Sequence, residues 1–444
     1  MTPSGVAVSN RHVSVPWGRS ESLDLEIPEG WNVLGVLEPS QLPPAEDPHA
    51  AVHEALNAPI GCPPLRELGR AARRVAVLVD DLSRPTPAQV LLPAVIEELK
   101  AAGVTKEAIT VVTTLGTHRP MTHEDLLKKL GAAWDETLAW ENHDYADVGK
   151  NVYLGRTSRG TPVYVNQKVA GADLVVSLGV IEPHVIAGFG GGYKNLIPGA
   201  AGAHTIAATH TLNLTPQTYN MTGRPPEENP MRLDLEEGGG FLRRPFFIVN
   251  TVLDTSLRIV RVVAGDAIAA HREGAKTSAQ MCGVKIPRRA DVVIAGSYPM
   301  DIDLRQGLKA LASTIAAARP GGLLIDLVRA EEGVGHMGST RARRWMGRRT
   351  LKLLAPILLR ALGKSRVAQQ GQELKFFTYF ALQALRRNDL ILYAPTVPKE
   401  FAARVPTAEF CWTLDEMWAL ARQKFPGRAD VLIFPAGGVT YPIV

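Results

Sequence analysis

The sequence predicts an α/β protein built from two α/β domains with largely parallel sheets. Three observations carry that reading. Short β-branched runs alternate with longer helix-like stretches, the unusual residues gather in loops that follow strand ends, and the alternation pauses near Lys285–Arg289 and then begins again. Two short strand-like pieces, His12–Val15 and Leu23–Ile27, come first. A Pro-rich connection leads to the run Val75–Val79, which ends in Asp80-Asp81. A helix-like stretch, Gln89–Ala102, precedes the strand pattern Ile109–Leu115, and Asp173–Ile181 forms another before a glycine-rich turn. Phe246–Leu253 and Ile259–Val263 read as strands, and Ala267–Met281 as a helix stopped at Gly283. Beyond the pause come a strand at Asp291–Ala295, a helix at Leu304–Ala318, and strands at Leu323–Leu327, Leu390–Tyr393 and Val431–Phe434. The division gives domains 1–284 and 285–444.

Composition narrows the class. A chain of 444 residues, 45% hydrophobic and 21% charged, is long enough for two cores. Its 49 basic and 44 acidic residues nearly balance at +5, which gives no footprint for nucleic acid and suits a small anionic substrate. Cys62, Cys282 and Cys411 are far apart and form no CxxC pair, so no disulfide framework is expected. The first residues lack the pattern of a signal peptide and no run of 18 apolar residues occurs, so a cytoplasmic protein without a membrane role is expected. Residues 341–364 mix arginines with apolar residues. They read as a helix pair packed on the second domain rather than as a membrane-surface helix, because Pro356 is expected to interrupt a continuous helix.

Four segments place reactive residues after strand ends. In residues 80–87 (DDLSRPTP), hydroxyls and Arg84 precede a helix, a turn able to bind a carboxylate or phosphate; taken alone, a capped helix start with an Asp–Arg pair explains it better. In residues 116–126 (GTHRPMTHEDL), Thr122 and Asp125 fit a helix cap, whereas His118 lies outside that explanation and is a candidate acid/base, although for a lone histidine a satisfied structural role comes first. Residues 181–202 (IEPHVIAGFGGGYKNLIPGAAG) combine His184 with Gly190, Gly191 and Gly192 and present Lys194 just beyond them. Lys194 is followed by Asn195, so this is not a Walker A loop. Downstream, His204 and His210 fall in a helix-like stretch, Ala200–Thr211, from which an imidazole can ligate a metal. The fourth segment, residues 296–311 (GSYPMDIDLRQGLKAL), sets Arg305 or Gln306 and Lys309 on one face of a helix start, an arrangement that suits a carboxylate, although taken alone a solvated face explains it better.

Taken together and in order, and joined by FIVNTVLD with its later AGD, by TLDE and by FPAGG, these segments resemble the nickel-pincer nucleotide-dependent lactate racemases and related 2-hydroxy acid racemases and epimerases. The resemblance runs over most of the chain. It implies an active site in the cleft between the domains, with 1–284 as the cofactor-binding and catalytic domain and 285–444 closing over the substrate. It implies that Lys194 carries, through a thioamide, the nickel-pincer nucleotide (pyridinium-3-thioamide-5-thiocarboxylic acid mononucleotide with nickel), that His210 ligates the nickel, and that Asp81, Ser83, Gly190, Gly191 and Gly192 help to hold the nucleotide. His118 and His184 correspond to alternating acid/base residues. Arg84, Gln306 and Lys309 correspond to the groups that hold the substrate carboxylate, with Arg305 beside them. The implied reaction is reversible hydride transfer through a 2-keto acid.

Two positions depart from the family pattern. Arg305 stands where lactate-specific enzymes carry an aromatic residue, and Tyr193 replaces a basic residue before the lysine. The guanidinium implies a substrate larger or more polar than lactate, such as malate or a sugar acid. The implied partners are that 2-hydroxy acid and the cofactor-biosynthesis enzymes, without which a host makes the apo form; a homo-oligomer is allowed. Two other readings fit the same residues: a metal-dependent hydrolase ligated by His118, His184 and His210, and a non-catalytic nickel-nucleotide carrier needing only Lys194 and His210.

Overall fold

The structure is a computed structural model that describes residues 11–18, 20–131, 134, 137–335, 347–364 and 372–444. Two six-stranded sheets organise it. The first runs in the order Ile259–Asp266, Phe246–Leu253, Leu174–Val180, Val75–Asp80, Ile109–Thr114, Ala139–Asn142, with only the first pair antiparallel. The second is parallel throughout, in the order Glu409–Cys411, Asp389–Tyr393, Ala318–Leu327, Ala290–Gly296, Ala429–Phe434, Trp31–Val36.

The central strands Val75–Asp80 and Leu174–Val180 are buried at every position, as a parallel sheet covered on both faces requires. Alternate side chains feed different cores. Val75, Val77 and Val79 meet Leu91, Val95 and Leu99 of the helix Ala88–Ala101 on one face. Ala76 and Leu78 enter a second cluster on the other face, and that cluster continues through Ile181, Ile186 and Phe189 to Val293, Ala310 and Phe434. One apolar cluster therefore joins the two sheets and fixes the strand ends that face each other across the cleft.

Three sequence expectations need correction. Trp31–Val36 carries no strand pattern in the sequence, yet it pairs with Ala429–Phe434 at the edge of the second sheet, so the chain's first part crosses to the unit formed mainly by its last part. The partners lie almost 400 residues apart, and Gly35 interrupts the alternation that would have announced the strand. The helix expected over Leu304–Ala318 ends at Thr314, followed by a 3-10 turn Ile315–Ala317 and a strand that already begins at Ala318. Pro356 does not interrupt its helix: Arg348–Lys364 runs through it. Leu351, Ala355 and Leu359 pack on Tyr379, Leu382 and Leu385 of the helix Gln372–Arg387, and this seam offsets the missing hydrogen bond. The rest of the basic stretch, residues 341–346, lies outside the described residues. No helix among the described residues is long and apolar enough to cross a membrane.

Candidate active site

The site opens at the carboxyl ends of parallel strands, where backbone groups no longer pair within the sheet and loops diverge into a crevice. A cleft of about 1160 Å³ is lined by Asp81, Arg84, His118, His184, Gly190, Gly191, Lys194 and His210 from the first unit, and by Arg305, Gln306 and Lys309 from the second. Two expected residues stand apart from it. Ser83 lines an adjoining recess of about 640 Å³ together with Asp81 and His118. Gly192 is turned inward, its amide donating to Asn250 Oδ1 at 2.9 Å.

The loop after Val75–Asp80 is held by a buried cation. Lys129, from the capped helix His123–Leu130, pairs with Asp80 at 2.6 Å and donates to the carbonyls of Asp81 and Arg84 at 3.0 and 2.9 Å. The loop so fixed aims Asp81 at His118. Asp81 Oδ2 accepts the hydrogen bond of His118 Nδ1–H, while Asp81 Oδ1 accepts from the amide and hydroxyl of Ser83 at 2.9 and 2.5 Å. Burial pushes the Asp81 carboxyl up, but the hydrogen bond and charge of His118, with Ser83 and Arg84, outweigh it and hold the group well below the usual carboxylate range. For His118, burial dominates over Asp81 and lowers the imidazole below its ordinary 6.5. The ring is neutral at pH 7, with its proton on Nδ1 and Nε2 unprotonated.

His184 is held the other way round. Its Nδ1 accepts from the amides of Ile186 and Ala187 at 3.2 and 3.1 Å, so the neutral ring carries its proton on Nε2. Burial, followed by the charges of Lys194, Lys309 and Arg84, keeps it neutral. His210, on the helix Ala203–Thr211, donates Nδ1–H to the Ile206 carbonyl at 2.8 Å, and burial lowers it to about 4. Its Nε2 therefore keeps a lone pair suited to a metal. His204, in the same helix, is exposed and stacks at 5.6 Å on Tyr164 away from the cleft.

The glycine-rich turn that presents Lys194 is clamped from behind. Arg232, fully buried, donates to the carbonyls of Phe189, Gly190 and Gly191, and His271 Nε2 donates to Gly190 O at 2.8 Å. Gly191 takes φ 72°, and a Cβ there would lie 2.6 Å from Asn250 Oδ1, so only glycine fits. Tyr193 points away from the cleft into the core, stacked at 4.7 Å on Phe246. Burial, with Arg84 and Lys309, drives the Lys194 amine well below 10.5.

Across the cleft, Asp303 caps the helix Leu304–Thr314 through the Gln306 amide at 2.7 Å. Gln306 Oε1 accepts from Arg84 at 3.2 Å, a contact that links the two units. Lys309 lies 3.6 Å from Glu182, and burial lowers it to about 8. Arg305 lies over the ring of Phe377, 5.5 Å from its centroid, and burial brings it to about 10. Arg84, Arg305 and Lys309 thus line the cleft with Asp80, Asp81 and Glu182, and because Lys129 already pairs with Asp80, a positive surplus is left for an anion. Sequence reasoning assigned no role to Glu182, Arg232, His271, Lys129 or Phe377. Only Asn250, a polar residue inside a buried strand pattern, gave a visible signal.

Comparisons with known proteins converge on one description. Residues 18–222 match the family model of the lactate racemase N-terminal domain. A lactate racemase of Lactiplantibacillus plantarum is 31% identical over 65% of this chain and 67% of its own length. One from Thermoanaerobacterium thermosaccharolyticum is 29% identical over 74% and 77%. Among solved structures, the lactate racemase apoprotein from T. thermosaccharolyticum superposes with a TM-score of 0.83 at 24% identity, covering 98% of this chain and all of that one. A Thermotoga maritima protein superposes with a TM-score of 0.63 at 15% identity, over 89% and 98%.

Proposed function

The chain belongs to the lactate racemase family, and from that premise we propose that it inverts the hydroxyl-bearing carbon of a 2-hydroxy acid larger or more polar than lactate, using a nickel-pincer nucleotide tethered to Lys194. The observation that carries this reading is the convergence of Lys194, His210, His118 and His184 on one cleft with a cationic wall.

The residues fit that cofactor. Lys194 offers an amine depressed by burial, the nucleophilic form that attachment needs. His210 offers a single imidazole. No three His, Cys, Asp or Glu side chains cluster closely enough among the described residues to hold a metal, so a metal here must bring its other ligands. That also speaks against a hydrolase ligated by His118, His184 and His210. When bound, the group supplies a reversible hydride acceptor.

The chain's own residues supply the rest. Arg84, Gln306 and Lys309 hold the substrate carboxylate. His118 Nε2, with Asp81 behind it, takes the hydroxyl proton of one enantiomer, and the Nε2–H of His184 meets the oxygen of the 2-keto acid once it has turned. A carrier needs neither histidine. Malate and sugar acids are the polar members of the proposed class, because Arg305 adds a guanidinium to the substrate side.

The test co-expresses the chain with cofactor-biosynthesis enzymes. Intact mass is expected to show an adduct on the wild type and none on Lys194→Ala, and chiral analysis in deuterated medium is expected to show inversion of a 2-hydroxy acid. Bare metal without an adduct, or no inversion of any such acid by loaded protein, would sink the proposal.

A further inference from the structure

Beside the cleft lies a second space of about 810 Å³ whose wall is almost wholly apolar. Leu304, Leu308 and Leu311 of one helix face Phe380 and Ala381 of another, with Phe401 closing the far side. Arg305, Lys309 and Thr407 are the polar members of its described wall. The space adjoins the cleft: Val185, Arg305, Lys309, Phe376 and Phe377 line both.

A substrate whose carboxylate sits on Arg84, Gln306 and Lys309 must send its C3 chain somewhere. One exit is the recess beside Ser83, where the carboxylates of Asp81, Asp125, Asp303 and Glu332 outnumber the guanidinium groups of Arg119 and Arg305, so a second carboxylate on the substrate meets a net negative wall. The other exit passes Lys309 and the Arg305–Phe377 stack into the apolar chamber. A polyol or carboxylate there would lose its hydration and find Thr407 as the one uncharged polar partner among the described residues. An apolar chain would instead leave water for a matching wall.

From this we infer that the chamber is the side-chain subsite and that the preferred substrate carries a branched alkyl or aryl group. The inference rests on the racemase reading and selects, within it, size over polarity. Arg305 acts as a rim that stacks on Phe377 while its charge faces the carboxylate end.

Cofactor-loaded protein is assayed with lactate, malate, gluconate, 2-hydroxy-4-methylpentanoate and 2-hydroxy-3-phenylpropanoate. The last two are expected to exceed lactate in kcat/KM by about 10- to 100-fold. Ala381→Phe and, on a different element, Val405→Phe are each expected to lower the ratio of phenylpropanoate to lactate turnover at least about tenfold. Preference for malate or gluconate, or a ratio unmoved in both variants, overturns the subsite. Should loaded protein invert none of the five acids, the racemase reading falls separately, and calorimetry on the apoprotein still decides the chamber. It is expected to bind 2-hydroxy-3-phenylpropanoate at least about tenfold more tightly than lactate, with the difference lost in Ala381→Phe; equal affinities overturn it.

Discussion

His118 and His184 line the same cleft in opposite tautomers, and their neighbours dictate the difference. A carboxylate behind His118 keeps the proton on Nδ1, whereas two amides pointing at His184 Nδ1 keep it on Nε2. The pH dependence follows from the shifts. Burial holds His118 neutral down to below 6.5, so kcat/KM, which reports the free enzyme, is expected to fall on the acid side only below that value. On the alkaline side it is expected to fall near pH 8, where buried Lys309 loses the charge that is proposed to hold the carboxylate. Lys309→Arg should move the alkaline limb upward. Asp81→Asn should move the acid limb lower still, by removing the charge that favours the imidazolium, and lower kcat by about 100- to 10,000-fold. An Asp81→Asn enzyme with wild-type kcat and limb would show that the pair plays no part.

At the scale of elements, the turns that carry Asp81 and Lys194 are each pinned by another element. The helix His123–Leu130 reaches the loop after Val75–Asp80 through Lys129, whose side chain is 3% exposed. Removing one partner of such a pair leaves an uncompensated buried charge. Lys129→Met is therefore expected to destabilise the fold by about 3–5 kcal/mol in denaturant titration, and Asp80→Asn in the same chain to restore part of it. A loss below about 1 kcal/mol for the single variant would place the pair among surface-like bridges. The glycine turn depends in the same way on Arg232 and His271, which come from two different helices.

Over the whole molecule, the second sheet carries a carboxyl with a fold-level consequence. Asp326 lies fully buried in Ala318–Leu327, and burial raises its pKa well above 3.8. The folded state thus binds a proton that the unfolded chain releases. The stabilisation is present in full below about pH 4 and is lost as pH rises through the raised folded value. Asp326→Asn is expected to flatten this dependence and to gain stability relative to wild type between pH 5 and 8, read from melting temperatures. An unchanged slope would show that Asp326 does not titrate differently in the two states.

The local part of this protein was legible in the sequence because its causes are local. Continuous β-branched runs announced the central strands, the Thr122–Asp125 cap announced its helix, and the ordered motifs carrying Lys194, His210, His118 and His184 pointed to one family. Tertiary structure decided everything that depends on partners distant in the chain. Trp31–Val36 becomes a strand only because Ala429–Phe434 offers it an edge. Pro356 stays inside a helix only because a second helix packs against it. Tyr193 turns to Phe246, Gly192 turns to Asn250, and the chamber behind Phe377 forms only where helices and strands from different parts of the chain meet. Periodicity and spacing report what a residue can do along its own element. Which neighbour desolvates it, pins it or leaves room beside it is set by packing between segments hundreds of residues apart, and that is where the shape of the cleft and its chamber is fixed.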